Sequence, residues 1–275
     1  MPAALLLDKS YLDGAPSASI ATLCQDHAVL CSETLFYELM TTRPESQVRC
    51  FSKLPSRAGS FSLLPNVGAL LRAEMETRSP CGPLGQHVMA GTYIFHPNLR
   101  AGTYVPTDEI LTTLESWKRQ VAQDAKTFLD LCQSVHQFFP ELVGIEFRDF
   151  SAAVAAARSR VGSSSEVVRA VYATFSREDL PPKAPLPADI NPEWAWFRRI
   201  QCQLLAALRM FERYQCRVPT DPTPAVLERA EHSMHDMEYV ILASLAGAIA
   251  SNDAEVIDDF RLVSPGGTLV TTLAR

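Results

Sequence analysis

The stretch Asp236-Met237-Glu238-Tyr239-Val240-Ile241-Leu242-Ala243-Ser244-Leu245-Ala246-Gly247-Ala248-Ile249-Ala250-Ser251-Asn252-Asp253 decides the fold. It predicts an apolar helix with the acids Asp236 and Glu238 at its start, then a short buried strand from Gly247 to Ser251 that stops at Asn252-Asp253. In open α/β sheets, ligands bind outside the carboxyl ends of the strands. Asp253 therefore stands where a site is expected.

The N-terminus repeats this design. Ala3 to Leu7 is a continuous apolar run, too short to cross a membrane, and reads as a buried parallel strand ending on Asp8. The turn Asp13-Gly14-Ala15-Pro16 follows, then a short helix from about Ser17 to Gln25 and a second apolar run, Ala28-Val29-Leu30-Cys31. Ser32 is placed to cap the next helix, which carries Glu38. Acids from both extremities of the chain (Asp8, Glu38, Asp236 or Glu238, Asp253) are thus placed to face one crevice. Asp236 and Glu238 differ by two positions and point different ways on a helix, which leaves the third acid open between them.

Taken in order, the strand ending on Asp8, the run Ser32 to Glu38-Leu39, the late helix with its acids, and Ser251-Asn252-Asp253 resemble the PIN domain family of metal-dependent ribonucleases. The resemblance runs from Pro2 to Thr42 and from His232 to about Leu273, and Leu262-Val263-Ser264-Pro265-Gly266-Gly267 suits it. It implies an α/β fold: a PIN-like three-layer α/β/α core with a parallel sheet, built from residues 1–42 and 231–275. Residues 43–230 would be a mostly α-helical insertion packed on that core, far longer than compact members of the family carry. It implies a metal-dependent endoribonuclease using Mg²⁺ or Mn²⁺, with Asp8, Glu38, Asp236, Glu238 and Asp253 as the candidate catalytic and metal-binding acids. Ser32 and Asn252 would orient carboxylates and water. Hard divalent cations prefer oxygen ligands, so clustered acids suit that chemistry. RNA is the expected partner, with an antitoxin or other protein as a second; a homodimer is left open. The other readings are a PIN-like binding or scaffold module without activity, and a structure-specific DNA nuclease.

Composition bounds these readings. The chain has 275 residues, 47% hydrophobic and 20% charged, enough for one large domain or a domain with a subdomain. No apolar run of about 18 residues and no secretory pattern is present, so cytoplasm is the expected compartment and no membrane contact is expected. Seven cysteines without a Cys-x-x-Cys pair read as reduced, mostly buried thiols rather than a disulfide framework or zinc ribbon. His232-x-x-His235-Asp236 reads as a polar helix start, and Cys81, His87 and His96 lie at irregular spacing. Neither a Gly-x-Ser-x-Gly elbow nor a Gly-x-x-x-x-Gly-Lys loop occurs, which argues against serine hydrolase and ATPase chemistry.

Charge is unevenly spread. Residues 1–42 hold five acids and one base, residues 231–275 seven acids and two bases, so the central 188 residues carry +3 of a net −6. An acidic core approaches a phosphate backbone only with cations between them, whereas a mildly basic insert can supply phosphate contacts. Within it, Asn66 is placed to cap a helix from Val67 to Thr77, and Ser79 to Pro106 reads as loop. A long amphipathic helix follows from Thr107 to Phe139. An alanine-rich helix is expected near Ser151 to Arg160, and Ser163-Ser164-Ser165-Glu166 opens another. Leu180 to Pro187 reads as a linker, and Asn191-Pro192 as the start of a helix reaching Cys216. On that helix Arg198 and Arg199, followed by Arg209 and Arg213, are either RNA contacts beside Trp196 and Phe197 or the solvated back of a core stripe.

Overall fold

The computed structural model describes residues 3–57, 59–178 and 180–272. Pro2 and Leu273, the outer limits of the resemblance, lie outside them. The first half runs β1 (Ala4–Leu7), α1 (Lys9–Gly14), α2 (Ser17–Asp26), β2 (Ala28–Ser32), α3 (Glu33–Thr41), α4 (Pro44–Lys53), β3 (Ser62–Leu64) and α5 (Val67–Thr77). The helical middle contains α6 (Pro97–Ala101), α7 (Asp108–Ser134), α8 (Phe147–Ser163), α9 (Ser165–Ala173) and α10 (Ala195–Arg213). The chain closes with α11 (Pro224–Ala246), β4 (Ala248–Ala250), α12 (Ala254–Val263) and β5 (Thr268–Val270).

The five strands form one all-parallel sheet in the order β3-β2-β1-β4-β5. Strand order reverses between β1 and β4, where Leu7 sits opposite Ala250. With right-handed crossovers, helices joining β1 to β2 to β3 and those joining β3 to β4 to β5 fall on opposite faces of the sheet. Strands covered on both faces must be apolar throughout, and Leu5, Leu6, Leu7, Ile249 and Ala250 are fully buried. The α/β parallel-sheet class expected from the sequence is the class observed.

Local signals explain most boundaries. Asn66 accepts from Ala69 N at 3.1 Å and begins α5; Ser32 accepts from Leu35 N at 3.1 Å and begins α3; Thr107 likewise begins α7. Gly247, at φ +81°, ends α11 and lets the chain turn straight into β4, a left-handed conformation that favours glycine. At Gly267 an added Cβ would strike the Phe260 ring and come within 2.8 Å of Ser264 Oγ, so the approach to β5 needs a residue without one.

Four expectations change. The acids of the deciding stretch do not start a helix: α11 begins at Pro224, so Asp236 and Glu238 lie in its middle, where no N-terminal amide needs a cap. The sheet does not come from residues 1–42 and 231–275 alone, because the mostly helical segment 43–230 adds β3, an edge strand that pairs with β2 (Leu30 opposite Ser62). The run Leu180 to Pro187 is no free tether, since Ala184 and Pro185 are buried and Tyr172 donates to Pro185 O at 2.9 Å.

The fourth is the start of α10. Asn191 forms a local turn, accepting from Glu193 N at 2.9 Å, and the helix opens only at Ala195. Its cap comes from far away. Glu74 on α5 is fully buried and accepts from Ala195 N at 2.7 Å, Trp196 N at 3.0 Å and Cys81 N at 2.9 Å. A carboxylate over the free N-terminal amides of a helix is favourable both as a hydrogen-bond acceptor and against the helix dipole.

Candidate active site

Two strand ends build the floor of the crevice. Asp8 N donates to Ala250 O at 3.0 Å, which ties the end of β1 to the end of β4. The Asp8 side chain, 4% exposed, accepts from Ser10 N at 3.1 Å and from the hydroxyls of Ser10 and Ser251 at 2.5 Å each. Asp253 begins α12 and accepts from Glu255 N at 2.8 Å and Val256 N at 3.2 Å through Oδ1. Asp253 N in turn donates to Ser10 Oγ and Ser251 Oγ, both at 3.1 Å. The two acids are therefore linked through one pair of serines.

Two helices supply the walls. Glu38 on α3 accepts from the buried Tyr239 hydroxyl of α11 at 2.5 Å, and Lys9 Nζ stands 3.9 Å from its other oxygen. Asp236, one turn before Tyr239, is half-buried, and no donor among the described residues reaches its carboxylate. Burial pushes the Asp8 carboxyl up against the pull of its serine donors, with the Asp253 charge adding to the rise. Burial also pushes Glu38 up to about 7, although Tyr239 and Lys9 oppose it and Asp8 and Asp253 add to it. Asp236 is raised well above its ordinary value, first by desolvation and then by the charges of Asp253, Asp8 and Glu38. Although half-exposed at its surface, its carboxyl is surrounded by enough protein and like charge to disfavour ionisation. Asp8, Glu38, Asp236 and Asp253 thus share one electrostatic field at the point where strand order reverses, the place where ligands bind in open α/β sheets.

Glu238 is not part of this group. Its carboxylate accepts from the Thr34 hydroxyl on the far side of α11, where it senses Arg199 and Glu33. Helical phase turns Asp236, and not Glu238, toward Asp8, Glu38 and Asp253. Neither the Ser32 nor the Asn252 side chain hydrogen-bonds to these carboxylates. Ser32 caps α3, while Asn252 Oδ1 accepts from Thr272 N at 2.8 Å and its amide donates to Thr272 Oγ1 at 2.7 Å, holding the end of β5. The orienting role falls to Ser10, Ser251 and Tyr239. The spacings Asp8-x-Ser10 and Ser251-x-Asp253 were visible signals for the serines; Tyr239, paired with Glu38 across 201 residues, left none.

Arg198 is held by the fold. It donates to Pro192 O at 2.9 Å, Gln201 Oε1 at 2.9 Å and Val263 O at 2.7 Å, closing the carboxyl end of α12. Arg209 pairs with Asp259 at 2.7 Å and Glu255 at 3.1 Å, and Arg213 with Glu255 at 2.7 Å. The basic back of α10 is therefore largely a seam to α12, and only Arg199 of the expected pair faces an open cleft. His235 also faces that cleft, against Tyr37 at 5.5 Å, and burial pushes it down to about 4.

No known family model, curated protein or solved structure matches the chain. The donor set suits a hard divalent cation in chemistry, being all carboxylate oxygen, and a bound cation would favour the ionised form that burial and like charge oppose. Its spacing is looser: among the described residues, no group of three or more His, Cys, Asp or Glu side chains is arranged to hold an ion unaided.

No helix among the described residues is long and apolar enough to cross a membrane.

Proposed function

We propose that the chain is a divalent-cation-dependent phosphodiesterase of PIN type that cleaves RNA, with the crevice between the ends of β1 and β4 as its active site. The observation that carries this reading is Asp236, a surrounded carboxylate without a donor, set among Asp8, Glu38 and Asp253. An isolated structural role would supply such a group with hydrogen bonds, because desolvating a charge without partners is expensive. A bound Mg²⁺ or Mn²⁺ would supply polarisation of a phosphoryl oxygen and a lowered pKa for the attacking water. Asp236 and the free oxygen of Asp253 are the groups best placed to hold such an ion; Glu38 and Asp8 complete its field. Ser10 and Ser251 fix Asp8, and Tyr239 fixes Glu38, so that these acids present the same oxygens to every substrate.

The test is cleavage of single-stranded RNA by purified protein with Mg²⁺ or Mn²⁺, with chelator and with matched DNA. Asp236→Ala and Asp253→Ala should each lower RNA cleavage by about two or more orders of magnitude without unfolding the chain. Equal RNA decay by wild type and Asp253→Ala would assign the activity to a contaminant. A second reading, a PIN-like binding module without activity, is favoured by the saturated hydrogen bonding of Asp8 and by the loose ligand spacing. Folded protein that neither binds Mn²⁺ nor cleaves RNA would establish that reading.

A further inference from the structure

On the opposite side of α3 and α11 from the carboxylate crevice lies a cleft of about 500 Å³ between α5, α7, α10 and α11. Its walls carry both signs of charge, but their hydrogen-bonding states differ. The acids have partners: Glu33 accepts from Asn66 Nδ2 at 2.7 Å, Glu238 from Thr34, and Asp124 from Gln120 at 2.9 Å. The arginines do not. Among the described residues no acceptor takes a hydrogen bond or ion pair from Arg72 of α5 or Arg199 of α10, although Glu238 senses the Arg199 charge from a distance. What the cleft has left to offer is therefore guanidinium donors, which suit phosphate or carboxylate oxygens.

A second feature narrows the ligand. Trp117 of α7 and Tyr37 of α3 line the same cleft with ring centroids 5.9 Å apart, both partly exposed. Half-buried aromatic faces beside unpaired guanidinium groups are the two elements used to stack a base and grip its phosphate. The volume also falls within the usual range for small-ligand sites. Arg72 and Arg199 lie on the wall shared with a second cavity of about 880 Å³, so an anion between them is reachable from either side.

We propose that this cleft binds a nucleoside phosphate, with the phosphate on Arg72 and Arg199 and the base against Trp117 and Tyr37. The source is either a free nucleotide or one unit of an RNA strand, and the site stands independently of any activity in the carboxylate crevice.

Trp117 is a built-in reporter, because it alone of the three tryptophans lines this cleft, Trp196 lining the neighbouring cavity instead. The experiment is titration of the full chain, with chelator present to silence the crevice, by adenosine 5′-monophosphate, inorganic phosphate and a short oligoribonucleotide. Tryptophan fluorescence and calorimetry are read together. Adenosine monophosphate should change the fluorescence, the change should vanish in Trp117→Phe, and Arg72→Gln or Arg199→Gln should weaken binding by about tenfold or more. Titration by the oligoribonucleotide alone, with the same dependence on both arginines, would support the site and assign its source to the strand. Arg72 is exposed, so its variant keeps the test valid if the Arg199 variant folds poorly. Binding that is absent at millimolar ligand, indifferent to both arginines, or matched by inorganic phosphate alone would overturn the proposal. Because the chelator is present throughout, these outcomes do not depend on whether the crevice cleaves RNA.

Discussion

The Ser251 hydroxyl donates to Asp8 Oδ2 at 2.5 Å, joining residues 243 apart in the chain. Ser10 bridges the same carboxylate to the backbone amides of Asn252 and Asp253 at 3.0 and 3.1 Å. The two ends of the chain are locked together at the point where strand order reverses. Ser10→Ala with Ser251→Ala should therefore release Asp8, lowering RNA cleavage while the circular dichroism spectrum stays native. A double variant with undiminished cleavage would show that the serines do not position the acid.

The acid cluster makes a pH-dependent contribution to stability. Glu38 holds its proton up to about 7 in the fold against an ordinary value of 4.5, so between those values the folded state binds more protons than the unfolded one. Stability from this group is complete below pH 4.5 and is lost as pH rises through 7. Without metal, Glu38→Gln should match wild type in thermal midpoint at the acid end and exceed it increasingly toward pH 7.5. Asp236→Asn should behave the same way, because it too removes a crowded charge. An advantage that stays constant with pH would contradict the shared field.

Glu74 should prove structural and nothing else. Glu74→Ala leaves three buried amides without an acceptor and opens a cavity, and it should cost about 3 kcal/mol in denaturant unfolding. Glu74→Gln, which keeps one acceptor, should lose less. A destabilisation under about 1 kcal/mol for the alanine variant would mean that α10 finds another cap.

Gly247→Ala should cost about 1 kcal/mol through the left-handed backbone alone, since an added Cβ there meets no atom within 4 Å. Equal stability would show that the junction of α11 and β4 relaxes freely.

Much of this architecture could be read from the chain because its signals are local. An apolar run stopping at Asp8, another at Asp253, and the caps at Ser32 and Asn66 each depend on a few neighbours. Whatever depended on distant partners was illegible. β3 is three residues in a serine- and proline-rich setting, and only its pairing with β2 makes it a strand. The start of α10 shifts to Ala195 because Glu74, 121 residues earlier, supplies the cap. The sequence leaves Arg198 open between an RNA contact and the back of a core stripe because Val263 O, which it bonds, belongs to a helix far along the chain. The choice between Asp236 and Glu238 needed the phase of α11 against β1 and β4, which periodicity alone does not give.

The most direct measurement is Mn²⁺ binding, followed by electron paramagnetic resonance or calorimetry, in wild type, Asp236→Asn and Glu238→Gln. The two substituted acids lie two residues apart on one helix, but only Asp236 faces the crevice. Wild type and Glu238→Gln should bind Mn²⁺ alike, and Asp236→Asn should bind it about tenfold or more weakly. No binding by folded wild type, or equal binding by Asp236→Asn, would contradict the assignment of the crevice as a cation site.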